Sequence, residues 1–336
     1  MLSALLLALA PAYTVPVTAA SPYQRTTDEL TPEALEGLVD SLAREIEQRY
    51  VFEDVARAMG AKLRERLIAG AYEGISMETL AARLTTDLHS VKLDKHLHVS
   101  PAMPHAPEEA ADPAERRRAE EAQARTMNFG FQKVEILDGN VGYLDLRGFV
   151  PIDVARDTAA AAMGFLANAD ALIIDLRHNG GGDPTMIQFL TTYFLAERTL
   201  LNTFEWRGRE GLEEFWTLDE VPGRRMVDVP LFVLTSSATF SAAEEFTYNL
   251  RNLGRATIVG ETTGGGAHPG DTHEIGGLLA VFIPEGRAIN PITKTNWEGV
   301  GVEPHIRVAA DRALDTARRE AERAVAERKQ PPPGGG

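Results

Sequence analysis

The hydrophobic pattern changes character twice along the chain. Between residues 28 and 90 it has a helical period. Thr31-Pro32-Glu33 offers a capping hydroxyl followed by proline at the first helical position, and Leu35, Leu38, Val39, Leu42 and Ile46 then recur on one face. The spacing predicts a second helix over 55–69, ending near Gly70, and a third from Ser76-Met-Glu-Thr through Leu80, Leu84 and Leu88. Three short helices make a small bundle. Over 101–127 the pattern lapses. Pro101, Pro104, Pro107 and Pro113 oppose regular structure, and the charge-rich stretch after Glu115 reads as a linker or a solvated helix.

From Phe129 the texture becomes strand alternating with helix. Strands are expected at 134–137 and 142–147, joined by Asp138-Gly139-Asn140, then a helix at about 153–167. A strand at 171–176, a helix at 184–195, a strand at 230–235, a helix at 241–253 and a strand at 257–260 follow. Residues 274–284 read as a hairpin turning at Gly276-Gly277, and a last helix covers about 311–329. Such alternation implies a mostly parallel sheet covered by helices, an α/β fold.

Composition narrows the function classes. The 336 residues include no cysteine, which excludes disulfides, thiolate catalysis and cysteine-ligated metal. Thirty-four Lys and Arg stand against 49 Asp and Glu, a net charge of −15, so the basic footprint of general nucleic-acid binding is absent. Hydrophobic content of 44% and charged content of 25% are those of an ordinary globular protein. The apolar run Met1-Leu-Ser-Ala-Leu-Leu-Leu-Ala-Leu-Ala-Pro11 leads to Val17-Thr-Ala-Ala20, small residues suited to cleavage after Ala19 or Ala20. It resembles a secretory signal without its basic n-region, and it is too short for a membrane span. Export, periplasmic or extracellular, is the expectation. Pro331-Pro-Pro-Gly-Gly-Gly336 reads as a flexible tail.

Two strand ends carry the candidate chemistry. The expected strand at 230–235 runs into Ser236-Ser-Ala-Thr-Phe-Ser241-Ala-Ala-Glu244, which opens a helix. A serine there is a nucleophile candidate if a base takes its proton and donors hold the oxyanion. The same Ser-x-x-Glu is also a capping box, and Ser236, Ser237 and Thr239 are neighbouring hydroxyls. The strand at 171–176 runs into Asn179-Gly180-Gly181-Gly182, where bare backbone can approach a ligand or form an anion nest. No Gly-Lys-Ser/Thr follows, so this is not a P-loop. Gly264-Gly265-Gly266 repeats the pattern and is expected to form another wall of the same cleft. His96 and His98 alternate as on a strand. Without a clear third ligand no metal site is expected there. His268 is a rival base, and Glu298, in Asn296-Trp-Glu-Gly-Val-Gly301, is a carboxylate able to orient a histidine.

With these residues in view the chain resembles the tail-specific, or C-terminal processing, serine peptidases. It is most similar to the branch of interphotoreceptor retinoid-binding protein modules and tricorn-like peptidases. The matching stretches are Leu93-Asp-Lys-His-Leu-His-Val99, Ile174-Asp-Leu-Arg-His-Asn-Gly-Gly-Gly182, Thr235 to Phe246, Gly260 to Gly270 and Glu298-Gly-Val-Gly-Val-Glu-Pro304. The resemblance implies a helical domain at 28–100 and a crotonase-like core of β-β-α repeats at 128–310, to which the chain's own pattern adds a signal peptide at 1–20, a linker at 101–127, and a C-terminal helix and tail at 311–336. It implies hydrolysis of polypeptide through an acyl-enzyme, with no cofactor. Ser241 would be the nucleophile, and Gly180 or Gly181 with Ala242 N–H the oxyanion hole. The processing branch uses a lysine in a Gly-Lys-Gly loop, but here that loop is Thr263-Gly-Gly-Gly-Ala-His-Pro. The tricorn-like pattern of His96 and Glu298 is therefore the expected pairing, with His268 as the rival. No PDZ domain fits in 101–127. A hydrophobic-ligand binding module of the same fold, or a small-molecule esterase or amidase, is the alternative.

Overall fold

A computed structural model describes residues 26–102 and 113–329. The expected leader at 1–20, part of the proline-rich segment and the tail at 331–336 lie outside the described residues. Helices α1 (Pro32–Arg49), α2 (Glu53–Ile68) and α3 (Met77–Val91) form where the periodicity places them. Thr31 Oγ1 accepts from Ala34 N–H at 3.2 Å, and Ser76 Oγ accepts from Thr79 N–H at 3.2 Å, so both capping hydroxyls are used. Strand β1 (His98–Pro101) follows, and the charged stretch folds as α4 (Pro113–Thr126).

The α/β part begins with β2 (Phe131–Leu137), β3 (Val141–Leu146), α5 (Ile152–Leu166), β4 (Ala171–Asp175) and α6 (Pro184–Thr192). It continues through β5 (Leu200–Trp206), β6 (Glu213–Trp216), β7 (Leu231–Thr235), α7 (Ala242–Asn252) and β8 (Thr257–Gly260). Strands β9 (Gly270–Ile275), β10 (Leu279–Pro284), β11 (Gly286–Ile289) and β12 (Ile306–Arg307) precede α8 (Ala310–Lys329). The central six-stranded sheet has the order β12-β8-β7-β4-β3-β2. It is parallel except for the β2–β3 hairpin. Strands β4 and β7 are buried at every position, as central parallel strands covered on both faces must be. Ala313, Ala317 and Ala321 of α8 pack on one face against Val141, Ile173 and Phe232. Met163 of α5, Leu190 of α6 and Phe246 of α7 share a core with Leu144, Leu172 and Val233 on the other.

Two smaller sheets complete the molecule. One, β1-β10-β9, lies against the helical bundle, and Val99, Leu279, Val281 and Ile283 join Leu42, Leu63 and Leu84 in one core. The hairpin read from 274–284 is therefore real, but it serves the N-terminal helices. The other, β11-β5-β6, is a sheet that the hydrophobic pattern does not announce.

This topology positions the loops. Strands β4 and β7 pair in parallel from Leu172–Leu231 to Asp175–Leu234, and β8 pairs in parallel with β7. Their carboxyl ends lie at one edge, so the loops at 176–183, 236–241 and 261–269 converge there. Open parallel sheets place their ligand sites at this edge.

Candidate active site

Ser241 closes the loop after β7 in a conformation few residues adopt, with φ 55° and ψ −122°. A non-glycine residue held there costs on the order of 1–3 kcal/mol, and such strain persists only where neighbours over-determine it. The neighbours are visible. Ser241 N–H donates to Glu244 Oε2 at 2.9 Å, and Phe240 N–H donates to Asn179 O at 3.1 Å, which ties the serine loop to the first glycine loop. The hydroxyl lines a cleft of about 920 Å³ together with His96, Gly180, Gly181 and Ala242.

Gly181 explains why the first loop needs glycine. Its φ is +113°, and a Cβ there would lie 2.7 Å from Ser241 Cβ and 3.0 Å from Ala242 N. Its own N–H donates to Asn179 Oδ1 at 2.9 Å, while Asn179 Nδ2 donates to Leu146 O at 2.9 Å. The backbone of Gly181 thus supports the serine, and its N–H is occupied. Gly180 and Ala242 offer N–H groups without an acceptor among the described residues. Gly181→Ala is expected to slow covalent labelling of the serine by about 10²-fold through misplacement. Gly180→Ala, whose Cβ would meet nothing within 4 Å, should fold normally. Equal labelling rates for wild type and Gly181→Ala would remove this account of the loop.

The second glycine loop is pinned from several elements. Glu244, fully buried, accepts from Thr263 Oγ1 at 2.5 Å, Gly265 N–H at 2.6 Å and Gly266 N–H at 2.8 Å, besides Ser241 N–H. Burial pushes its carboxyl pKa up, and these donors pull the other way. Trp297 Nε1 donates to Gly266 O at 2.7 Å, and Lys95 Nζ donates to Gly264 O at 2.5 Å. Gly266 is the close approach: a Cβ there would come within 2.2 Å of the Phe240 ring and 2.7 Å of His96 Cε1. Gly266 and Ala267 line the cleft, so the loop does form a wall of it.

His96 packs at 4.5 Å between ring centroids from Phe240, the residue before the serine, and at 5.7 Å from Phe282. His98 stacks on the same Phe282 ring at 6.1 Å. Burial pushes the His96 pKa down to about 4, the Asp94 carboxylate opposing the shift, so at neutral pH the imidazole is unprotonated. Its Nδ1 is buried without a hydrogen-bond partner.

Behind His96 lies an acidic hub. Asp94 Oδ2 contacts His268 Nδ1 at 2.7 Å and accepts from Tyr50 Oη at 3.2 Å, while Oδ1 accepts from His96 N–H at 3.1 Å. Burial acts to raise the Asp94 pKa, but His268 and then His96 outweigh it and hold it below the usual range. Glu298 Oε2 accepts from Ala267 N–H at 2.7 Å and lies 3.6 Å from His268 Nδ1. Burial raises its pKa, and Asp94 adds to the effect. His268 is buried beside these carboxylates and is not among the cleft-lining residues, whereas His96 is.

Asp94, His96 and Glu298 place ligand-type atoms within 4.8 Å of one another. Asp94 Oδ2 already serves His268 and Tyr50, and Oδ1 the His96 N–H, so a metal there would compete with those hydrogen bonds. The sequence reading therefore locates Ser241, His96, Gly180, Gly181 and Ala242 on one cleft and Glu298 and His268 just behind it. It misses Asp94, Tyr50 and the bridging role of Glu244.

A serine in a forced turn, beside free N–H groups and a desolvated histidine, is the equipment of a covalent hydrolase. The peptidase family S41 model matches residues 140–308, and a model for the N-terminal domain of peptidase S41 in eukaryotic IRBP matches residues 31–138. The chain belongs to peptidase family S41. A carboxyl-terminal-processing protease of Picosynechococcus is 35% identical over 140 residues, covering 41% of this chain and 32% of that protein. Another, from Synechocystis, is 37% identical over 126 residues, covering 38% and 28%. The chain thus spans about a third of the length of these relatives. A putative peptidase from Parabacteroides merdae shares the fold at a TM-score of 0.60, with 20% identity over 85% of this chain and 96% of that one.

Proposed function

We propose that the chain is an exported serine peptidase with a crotonase-like core, cleaving polypeptide through an acyl-enzyme on Ser241. One observation carries this reading: Ser241 is held at positive φ on the cleft, directly against the glycine loop. In the proposed cycle His96 takes the Ser241 hydroxyl proton as the oxygen attacks the scissile carbonyl carbon. The N–H groups of Gly180 and Ala242 hold the oxyanion. His96 returns the proton to the leaving amine, water then attacks the ester, and Ser241 is regenerated. Glu298 and Asp94 stabilise the imidazolium that forms between the two transfers.

Reaction with a fluorophosphonate, followed by peptide mapping, is the test. Adduct on Ser241 alone is expected. The aromatic lining of the cleft (Phe149, Phe204, Phe215, Phe240, Trp206 and Trp297) also suits a hydrophobic ligand. An unlabelled Ser241 with tight binding of a fluorescent fatty acid or retinoid would transfer the assignment to a binding module. Export is tested separately: the mature protein should begin after Ala19 or Ala20.

A further inference from the structure

Next to Glu244 stands an acid that the proposed cycle does not use. Glu245 is four residues beyond Ser241, one helical turn and about 6 Å deeper along α7. Its residue is only 4% exposed, yet it lines the same cleft as the serine. Two buried asparagines approach it, Asn202 from β5 and Asn249 from the next turn of α7. Asn249 Oδ1 accepts from Asn290 Nδ2 at 3.1 Å. Asn202 Nδ2, Asn202 Oδ1 and Asn249 Nδ2 have no hydrogen-bond partner at bonding geometry.

Buried polar atoms without partners cost on the order of 1–3 kcal/mol each, and proteins keep few of them. The two asparagines back the Glu245 carboxyl and do not line the cleft, so Glu245 is the group that a ligand in the cleft would meet. The space above is an apolar sleeve with Phe204, Phe215, Trp206, Trp297 and Ala288 among its walls. Burial raises the Glu245 pKa to about 7, the two asparagines opposing the shift, and a cation bound beside it would favour the ionised form.

We propose that this floor is the pocket for the substrate side chain next to the scissile bond, and that it selects lysine or arginine. The inference rests on the peptidase reading for the direction in which substrate enters. The aliphatic stem would lie along the aromatic walls, whose faces also favour a cation. The charged head would meet the Glu245 carboxyl. A four-carbon stem reaches about as far as the one-turn offset between Ser241 and Glu245. An uncharged apolar side chain of the same length would leave the Glu245 carboxyl without a countercharge, which is the asymmetry that makes polar pockets selective. The chain's net charge of −15 draws basic peptides in the same sense.

The test uses the Ser241→Ala protein and pairs of labelled peptides that differ only in lysine against norleucine before the scissile bond. Fluorescence anisotropy should show at least tenfold tighter binding of the lysine peptide. That preference should vanish in Ser241→Ala/Glu245→Gln. Acetylating the peptide lysine removes the charge from the ligand instead, and should also abolish the preference if Glu245→Gln does not fold. Equal affinity for both peptides, or a preference that survives Glu245→Gln or acetylation, overturns the pocket. Turnover separates the two readings. A wild-type enzyme that cleaves both peptides equally loses the pocket but keeps the peptidase assignment. A Ser241→Ala protein that discriminates, beside a wild type that cleaves neither, loses the peptidase assignment and keeps the pocket.

Discussion

His96→Ala is expected to lower kcat/KM on a polypeptide substrate by about 10⁴-fold, the upper range for loss of a general base. His268→Asn should leave it within about tenfold of wild type. The expectation rests on where the two imidazoles lie. His96 lines the cleft and keeps an unpartnered Nδ1, whereas the Nδ1 of His268 is committed to the fully buried Asp94 at 2.7 Å. Removing His268 altogether would leave that carboxylate with Tyr50 and one backbone N–H, and losing a hydrogen bond to a charged group costs about 1.5–3 kcal/mol. Alanine at 268 should therefore lower the melting temperature first. Asparagine, with a donor near the Nδ1 position, should restore stability. A protein that loses activity with His268→Asn but keeps it with His96→Ala would reverse the assignment.

The pH profile supplies a second readout of the same base. Burial depresses the His96 pKa to about 4, so the competent neutral form predominates above that pH. On a peptide with norleucine before the scissile bond, kcat/KM should be level from pH 8 to about 5 and fall below it as the imidazole takes up a proton. The same shift acts on stability. The unfolded histidine binds its proton near pH 6.5 and the folded one only near 4, so this contribution to stability is lost as pH falls through that window. Circular dichroism at each pH separates loss of the base from loss of the fold. A midpoint near 6.5 in a fully folded protein would point to an unburied base.

Local pattern carries far in this chain and then stops for a physical reason. The helices of the bundle and the strands β4 and β7 are legible because a single buried face or a continuous apolar run dictates them. Strand β5 is not, since Asn202 and Thr203 sit in its middle and are nonetheless buried. Strand β1 reads locally as an extended piece, but its partner β10 lies more than 170 residues away in pairs such as His98–Phe282, so no window reveals which core it joins. The site divides in the same way. Ser241 and the first glycine loop stand out because a glycine run after a buried strand has no packing rationale. Asp94 does not stand out, because an aspartate between Leu93 and Lys95 resembles any solvated loop residue. Its burial depends on Tyr50 and His268, 44 and 174 residues distant.

Glu244 is the residue for which local reading and structure give different magnitudes, so it can be tested by size of effect. As the glutamate of a capping box alone, its loss would cost about 1 kcal/mol and leave the chemistry in place. In the fold its two oxygens receive four donors: Thr263 Oγ1 and Gly265 N–H on Oε1, Gly266 N–H and Ser241 N–H on Oε2. Glutamine has one acceptor oxygen, so its NH₂ must face N–H groups that cannot rotate away. Glu244→Gln is expected to destabilise the protein by about 3 kcal/mol, between the costs of an orphaned neutral and an orphaned charged hydrogen bond. Because the lost bonds join Ser241 to the loop carrying Gly266, against which both His96 and Phe240 pack, labelling of Ser241 should also slow by about 10²-fold. Urea melts and labelling rates measure the two effects. A cycle with Thr263→Val isolates the coupling: the losses from the two single changes should overlap in the double variant, because Thr263 and Glu244 share one hydrogen bond. Additive losses, or a destabilisation near 1 kcal/mol with unaltered labelling, would reduce Glu244 to an ordinary helix cap.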